Sequence, residues 1–413
     1  AAGWRLATAS ASASGEQLLA ALTTEHPLQP FSVRYFQPDR PQRLFTYASE
    51  WRAAHAPIIT PLATVPHFAK GGLGIVNAAP ALTLAALGRF LRWPLKTFYT
   101  DRLALYFTAD DTALADDETF TVDGLEKWQL SNAVLAQVRT ALAQQPDDEA
   151  EMLVTMATQR LVRTGELPLP PFAQQWSEAL LTTLQPPVAR YQALLKQFAL
   201  ALPGEAVALE IPPSPPFAKD GDQAGAAGIF LEDTLAAVRT DDAGNRVRLQ
   251  LQASRLHIGR DLKWTLLAPV WPEHLAAQLT APTTTHVLGP DTDFQIAPLP
   301  AATAQTHLLA LLAGYRAALT APLPLACKTG FAWLAAQAGT PVNPETAYEG
   351  EEFKRDANSG EMFEHPGYRR FWPTYAALEA DERFQPLLAQ LYQPLFDHIQ
   401  LGSQPVARES DDD

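Results

Sequence analysis

The sequence predicts a mixed α/β (α+β) protein in which a helical insertion precedes the sheet and helices follow it. Three observations carry this. Apolar residues recur at helical spacing from Ala81 to about residue 202, and again over 301–319 and 381–400. Val247, Leu249 and Leu251 alternate with Arg248, Gln250 and Gln252, the period-two pattern of a strand with one buried face. Proline contributes 35 of 413 residues. That is well above the usual share of about 5% and favours short elements divided by fixed turns.

Residues 1–80, rich in Pro, Ser and Ala and punctuated by Thr60-Pro61, Val65-Pro66 and Gly71-Gly72, read as an irregular arm or the tail of a preceding domain. Thr83 then caps a helix whose Leu84, Leu87 and Leu91 share a face, and Pro94 ends or kinks it. Leu95, Phe98, Tyr99, Leu103 and Tyr106 continue at helical spacing. Asp123-Gly124-Leu125-Glu126 has the spacing of a capping box and opens a helix expected to turn Trp128, Leu135, Val138 and Leu142 inward. Further helices are expected at 149–164, stopped by Gly165, and at 172–184 and 187–202, stopped by Pro203-Gly204. Strands are expected at Ala206–Ile211, Ile229–Leu231, Leu235–Val238 and through Val247–Leu251, the last entered by the Asp241-Asp242-Ala243-Gly244-Asn245 turn. The resulting mixed sheet should lie between the helices at 124–144 and 301–319.

Hydrophobic residues at 47% and charged residues at 18% describe a soluble chain with a sizeable core. At about 150 residues per domain, the length suggests two or three domains. The net charge of −14 keeps such a chain soluble and argues against a protein that chiefly wraps nucleic acid. Any DNA contact must therefore be local or shared with a partner. The single Cys327 permits no internal disulfide and no cysteine-cluster metal site, which points to a reducing, cytoplasmic setting. The longest tempting apolar stretch, 294–315, contains Pro298, Pro300, Gln305, Thr306 and His307 and is unsuited to crossing a membrane. The start at Ala1-Ala2-Gly3-Trp4, without methionine, suggests a piece of a longer protein.

No His-Glu-x-x-His, phosphate-loop or Gly-x-Ser-x-Gly pattern occurs, so zinc hydrolysis, ATP hydrolysis and serine hydrolysis lack their usual equipment. The residues best suited to DNA are Arg89, Arg92, Trp93, Lys96 and Arg102, cations for phosphates and an indole for a splayed base around a proline bend. The alternative is an indole packed in the core with cations on a solvated face. A second group, His365, Tyr368, Arg369, Arg370 and Trp372, suits packing or subunit docking.

Several stretches, in order, resemble the C-terminal part of the RecC family, the gamma chains of exodeoxyribonuclease V (RecBCD). They are His26-Pro27-Leu28-Gln29-Pro30-Phe31-Ser32 with Arg34-Tyr35-Phe36, and Leu82-Thr83-Leu84 through Phe90-Leu91-Arg92-Trp93-Pro94-Leu95-Lys96 to Phe98 and Arg102-Leu103. Gly124-Leu125-Glu126 with Gln129-Leu130 follows, then Gly330-Phe331-Ala332-Trp333-Leu334, Ala347-Tyr348-Glu349-Gly350 and Tyr368-Arg369-Arg370-Phe371-Trp372.

The resemblance implies a restriction-endonuclease-like (PD-(D/E)xK-type) core without catalytic residues. Active members of that class hold Mg²⁺ with carboxylates and often a histidine, beside a lysine. Here the equivalent positions carry Asn132 for the histidine, Leu231 for the first acid, an acid-free strand over 248–255, and Leu311 in place of a glutamine whose companion Tyr315 is kept. Trp93 stands where iron–sulfur relatives have cysteine. Asn132, Leu231 and 248–255 are expected to converge in an empty pocket. Two isolated acid-x-Lys patterns, Asp261-Leu262-Lys263 and Glu352-Phe353-Lys354, are read as chance occurrences.

The implied organisation is an arm over 1–80, a silent nuclease-like domain over 81–340 with its insertion at about 145–203, and a helical extension over 341–413. The implied role is a scaffold that separates and guides DNA strands and docks RecB and RecD, meeting duplex ends and single strands. It has no cofactor of its own, since Mg²⁺ and ATP serve the partners. An active metal-dependent nuclease and a pure docking domain remain as alternatives.

Overall fold

The computed structural model describes residues 81–105, 124–167, 172–212, 228–258, 261–351 and 360–401, with parts of 19–47. The chain divides into two compact units, Ala1–Asn77 and Ala78–Asp413. In the first, a short 3₁₀ turn at Val33–Tyr35 buries Tyr35, whose hydroxyl donates to the Pro27 carbonyl (3.2 Å).

The second unit opens with α1 (Leu84–Arg92). Thr83 Oγ1 accepts from Ala86 N (3.2 Å) and Asp233 Oδ2 accepts from Leu84 N (2.8 Å), so two otherwise orphaned helix-start donors are satisfied. Leu84, Leu87, Phe90 and Leu91 are buried as the spacing predicts. Gly88 lets α1 press on the turn at Ala268–Val270, where a β-carbon would lie 2.8 Å from the Pro269 carbonyl oxygen. Pro94 starts α2 (Pro94–Thr97), which continues as a π-helical turn, Phe98–Arg102.

Three longer helices follow, α3 (Gly124–Gln144), α4 (Ala150–Thr164) and α5 (Phe172–Gln197). Gly165, at φ 75°, closes α4 with a left-handed cap. The three share a core built on Leu135, Val138, Leu142, Val154, Leu161, Leu184 and Val188. Trp128 is 47% exposed rather than turned inward. The break expected between 184 and 187 is absent, because α5 runs through Pro186 and Pro187. Proline in a helix interior forfeits backbone bonds. Here Pro187 is itself buried between the fully buried Leu184 and Val188, and that packing outweighs the loss.

Strands then appear in quick succession: β1 (Leu200–Ala201), β2 (Glu205–Ile211), β3 (Ile229–Leu235), β4 (Val238–Thr240) and β5 (Arg246–Leu251). The expected Leu235–Val238 strand is instead the junction of two, broken at Ala237 with φ 63°. Asp241–Asn245 forms the turn before β5, with Gly244 at φ 84°. A small hairpin, β6 (His257–Ile258) and β7 (Asp261–Leu262), leads into α6 (Trp264–Leu267) and α7 (Trp271–Thr280). Asp261 and Lys263 thus flank a hairpin-to-helix junction, while Glu352 and Lys354 lie outside the described residues.

Beyond 256 the structure adds β8 (Thr283–Leu288) and β9 (Asp293–Ile296). The remaining helices are α8 (Ala301–Thr320), α9 (Cys327–Gln337), α10 (Pro344–Glu349), α11 (Glu361–Glu364), α12 (Tyr375–Glu379), α13 (Phe384–Leu391) and α14 (Gln393–His398). The expected helix over 381–400 is therefore divided: Pro394 restarts it as α14, and strand β10 (Ile399–Leu401) follows.

The main sheet has the order β1-β4-β5-β8-β9-β10, parallel only between β5 and β8. β2 and β3 form a separate antiparallel pair, extended by Leu82 beside Leu231. Alternation along β5 sends Val247, Leu249 and Leu251 into the core of the three-helix insertion. Each buried branched side chain there contributes about 1.5–3 kcal/mol. Val238, Val287, Phe294 and Ile296 enter the larger core on the opposite side.

The helices packed on β5 and β8 are α5 on one side and, against β8, α7 on the other; α8 lies against α7 and the β2–β3 pair. The expected flanks are therefore corrected: 124–144 packs on α4 and α5, and 301–319 on α7 and the β2–β3 pair, while α5 and α7 are the helices on the main sheet. Arg190 of α5 binds Asp293 of β9 (2.8 Å), and Gln278 of α7 exchanges bonds with the backbone of Thr283 (2.6 and 3.0 Å). His274 of α7 contacts Thr285 Oγ1 (2.9 Å), and burial holds its imidazole down at about 3, so it is neutral. Among the described residues no helix is long and apolar enough to cross a membrane.

Candidate nucleic-acid interface

The apolar stripe of α1 (Leu84, Leu87, Phe90 and Leu91) faces the core, so Arg89 and Arg92 fall outside it. Arg89 is exposed and Arg92 half-buried. Trp93 interrupts the helix because Pro94 follows it, and its indole is half-buried rather than core. Two cations gather on that ring. The Arg92 guanidinium carbon lies 4.1 Å from the ring centre and Lys96 Nζ lies 5.2 Å from it. Each contact of this kind contributes about 0.5–1 kcal/mol at an exposed site. Burial lowers the pKa of Arg92, and a guanidinium keeps its charge in proteins.

The structure brings the second sequence-predicted group against the first. His365 meets Trp93 edge-on, with ring centres 5.8 Å apart. Its neighbours Tyr368 and Trp372 are buried. Tyr368 donates to the Leu325 carbonyl (2.7 Å) and Trp372 Nε1 to Asp381 (3.2 Å), so these two pack the fold. Arg369 and Arg370 stay exposed, with Arg369 over Phe363 at 5.4 Å. Phe371, 42% exposed, packs against Phe98 of the π-turn. Gly367 permits this approach, since a β-carbon there would lie 2.5 Å from Tyr99 Cε2.

Behind this surface, Glu361 is completely buried and accepts from both the backbone N and the hydroxyl of Thr329 (3.0 Å each) at the start of α9. Burial raises its pKa, and the hydrogen bonds from Thr329 and the backbone oppose that rise. Cys327 is fully buried and burial pushes its thiol well up, which makes it a packing residue rather than a nucleophile. The contacts of Glu361 fix the segment that carries His365.

Arg102 is exposed on the π-turn. That turn is held by Tyr315, whose hydroxyl donates to Asp101 Oδ2 (2.9 Å) while its ring meets Phe90 edge-on at 5.7 Å. Burial and the neighbouring Asp101 raise the Tyr315 pKa, so the phenol stays protonated. Tyr315 therefore serves the cation-bearing segment, a link its spacing from Leu311 does not reveal.

The expected convergence of Asn132, Leu231 and 248–255 is not formed. Leu231 is buried on β3 opposite Leu209, within the larger core. Asn132 donates to its own helix at Trp128 O (2.8 Å), and α3 belongs to the insertion core. Leu311 is buried in α8. β5 lies in a different sheet from β3, with Arg246 paired to Glu205 and Arg248 to Glu273. Among the described residues no group of three or more His, Cys, Asp or Glu side chains is placed to hold a metal ion.

A family model described as RecC C-terminal domain matches residues 79–338. The RecBCD enzyme subunit RecC of Escherichia coli (strain K12) is 25% identical over 331 residues, covering 78% of this chain and 24% of that protein. The chain thus spans about a quarter of the length of the curated relative it matches.

Proposed function

The chain belongs to the RecC C-terminal domain family, and from that premise we propose that it is the non-catalytic C-terminal portion of a RecC-type subunit in a helicase–nuclease complex. In this reading it docks RecB and RecD in the cytoplasm and guides DNA strands at a broken duplex end during recombinational repair. Its mixed sheet, with helices on both sides, is taken as a nuclease-like core in which the metal chemistry has been lost. Mg²⁺ and ATP then serve the partner subunits.

The observation that carries the guiding role is the Trp93 surface, an accessible indole with two cations on its ring. Cations neutralise phosphates and an indole stacks on an unpaired base. The loss of catalysis is supported by β5, where Arg248 and Gln250 occupy the face on which an active strand would present its acid and lysine. A guanidinium has no lone pair to offer a divalent cation, and that of Arg248 is already paired with Glu273.

Incubating the full chain with linear or single-stranded DNA and Mg²⁺ or Mn²⁺ tests this. No product is expected at any protein concentration. Reproducible cleavage that scales with protein and disappears with a chelator would overturn the non-catalytic reading.

A further inference from the structure

We propose that His365 is a proton-switchable member of the Trp93 surface, neutral in the free protein and protonated when the phosphate of an unpaired DNA strand is bound there. The inference rests on the reading of Trp93 and its cations as a DNA contact. His365 lies edge-on to Trp93, its ring inclined 70° to the indole that Arg92 and Lys96 already cap. Among the described residues neither ring nitrogen has a hydrogen-bond partner, so the imidazole is free to donate to an incoming acceptor.

The groups facing it are of mixed sign. Arg92 and Lys96 approach from α1 and α2, Lys328 from α9, and Glu364 from α11, the element that His365 itself follows. Glu364 is engaged by Lys328 Nζ (2.6 Å). Tyr368 lies 6.4 Å away ring to ring, with its hydroxyl committed to the Leu325 carbonyl. Burial first, then the three cations, hold His365 below the ordinary histidine range, against the opposing pull of Glu364.

A bound phosphate reverses this balance. It offsets the cation field and itself favours the imidazolium, so the pKa of His365 rises on binding. The complex then holds more protons than the separated molecules, and affinity increases as pH falls through the window between the two pKa values. For one proton the limit is about tenfold per pH unit.

Fluorescence anisotropy of the full 413-residue chain with a labelled oligothymidylate at low salt reads this directly. Between about pH 8 and pH 6 the wild-type affinity should rise at least about threefold. The His365→Gln variant, whatever its affinity at the alkaline end, should show no comparable rise as the pH falls. Nuclear magnetic resonance of the His365 ring supplies a readout independent of the variant's folding, with a titration midpoint expected to move up when the oligonucleotide is present. An equal rise in the variant, or an unmoved midpoint, overturns the proposal while salt-dependent binding leaves the Trp93 reading intact. Failure to bind the oligonucleotide at any pH overturns both.

Discussion

Replacing Gly360 with alanine is expected to lower stability by more than about 3 kcal/mol, through backbone strain and overpacking together. Gly360 sits at φ 70° and ψ 153°, a region that side chains other than hydrogen rarely enter. A β-carbon there would lie 2.3 Å from Gly350 N and 2.5 Å from the Glu349 carbonyl carbon. Both are backbone atoms that no rotamer change can move. Gly339 separates the two causes, because it also has positive φ (86°) but open space around its β position. Gly339→Ala should cost only about 1–2 kcal/mol. Thermal melting of the pair checks this, and equal losses would show that the close approach of Gly360 to Gly350 carries no energy. The consequence for the surface is direct, since Gly360 begins the α11 segment that sets Glu361 on α9 and His365 on Trp93.

Leu231→Asp, the substitution that would restore an acid to the supposed metal strand, is expected to destabilise the chain by about 4 kcal/mol or more. Leu231 is 1% exposed, opposite Leu209 and beside Leu82. The change removes a packed leucine and places a carboxyl group within an apolar core. Burial would raise the new carboxyl's pKa above its unfolded value of about 3.9. A raised folded pKa means the folded state binds the extra proton, so the deficit should shrink as pH falls toward the unfolded value and be complete well above it. Urea titrations near neutral pH and near pH 4.5 should show the variant recovering stability relative to wild type on the acid side. Wild-type stability at neutral pH would contradict the burial on which this rests.

These two cases mark what was legible in the sequence. The α1 cap at Thr83, the alternation on β5 and the stop at Gly165 are local signals, and each appears where its pattern places it. The cations and indole at 89–102 were legible for the same reason, because residue type and helical spacing are local properties. Pairing across long separations was not. Nothing local says that Leu231 belongs to a two-stranded pair apart from β5, or that Tyr315 reaches Asp101. His365 suits packing or subunit docking by its sequence alone, because its partner, Trp93, is distant in sequence. β8 had a usable signal, since Thr283–Thr285 and Val287 are β-branched and Gly289-Pro290 marks the following turn. β10 had little, because Ile399 continues the helical spacing of the residues before it.

The central claim is that this domain guides DNA through a local cationic surface while the chain as a whole, at −14, repels it. The most direct measurement is strand unwinding by the assembled complex carrying Arg89→Ala, Arg92→Ala, Lys96→Ala and Arg102→Ala together. Co-purification of the subunits should match wild type, since Arg89, Lys96 and Arg102 are exposed, and melting should fall only by the two lost ring contacts, about 1–2 kcal/mol in all. With assembly intact, the account predicts a clear fall in unwinding at low salt, with the gap to wild type narrowing as salt is raised. Unwinding equal to wild type at every salt concentration, in a correctly assembled complex, would leave the Trp93 surface without a role in DNA guidance and contradict the account.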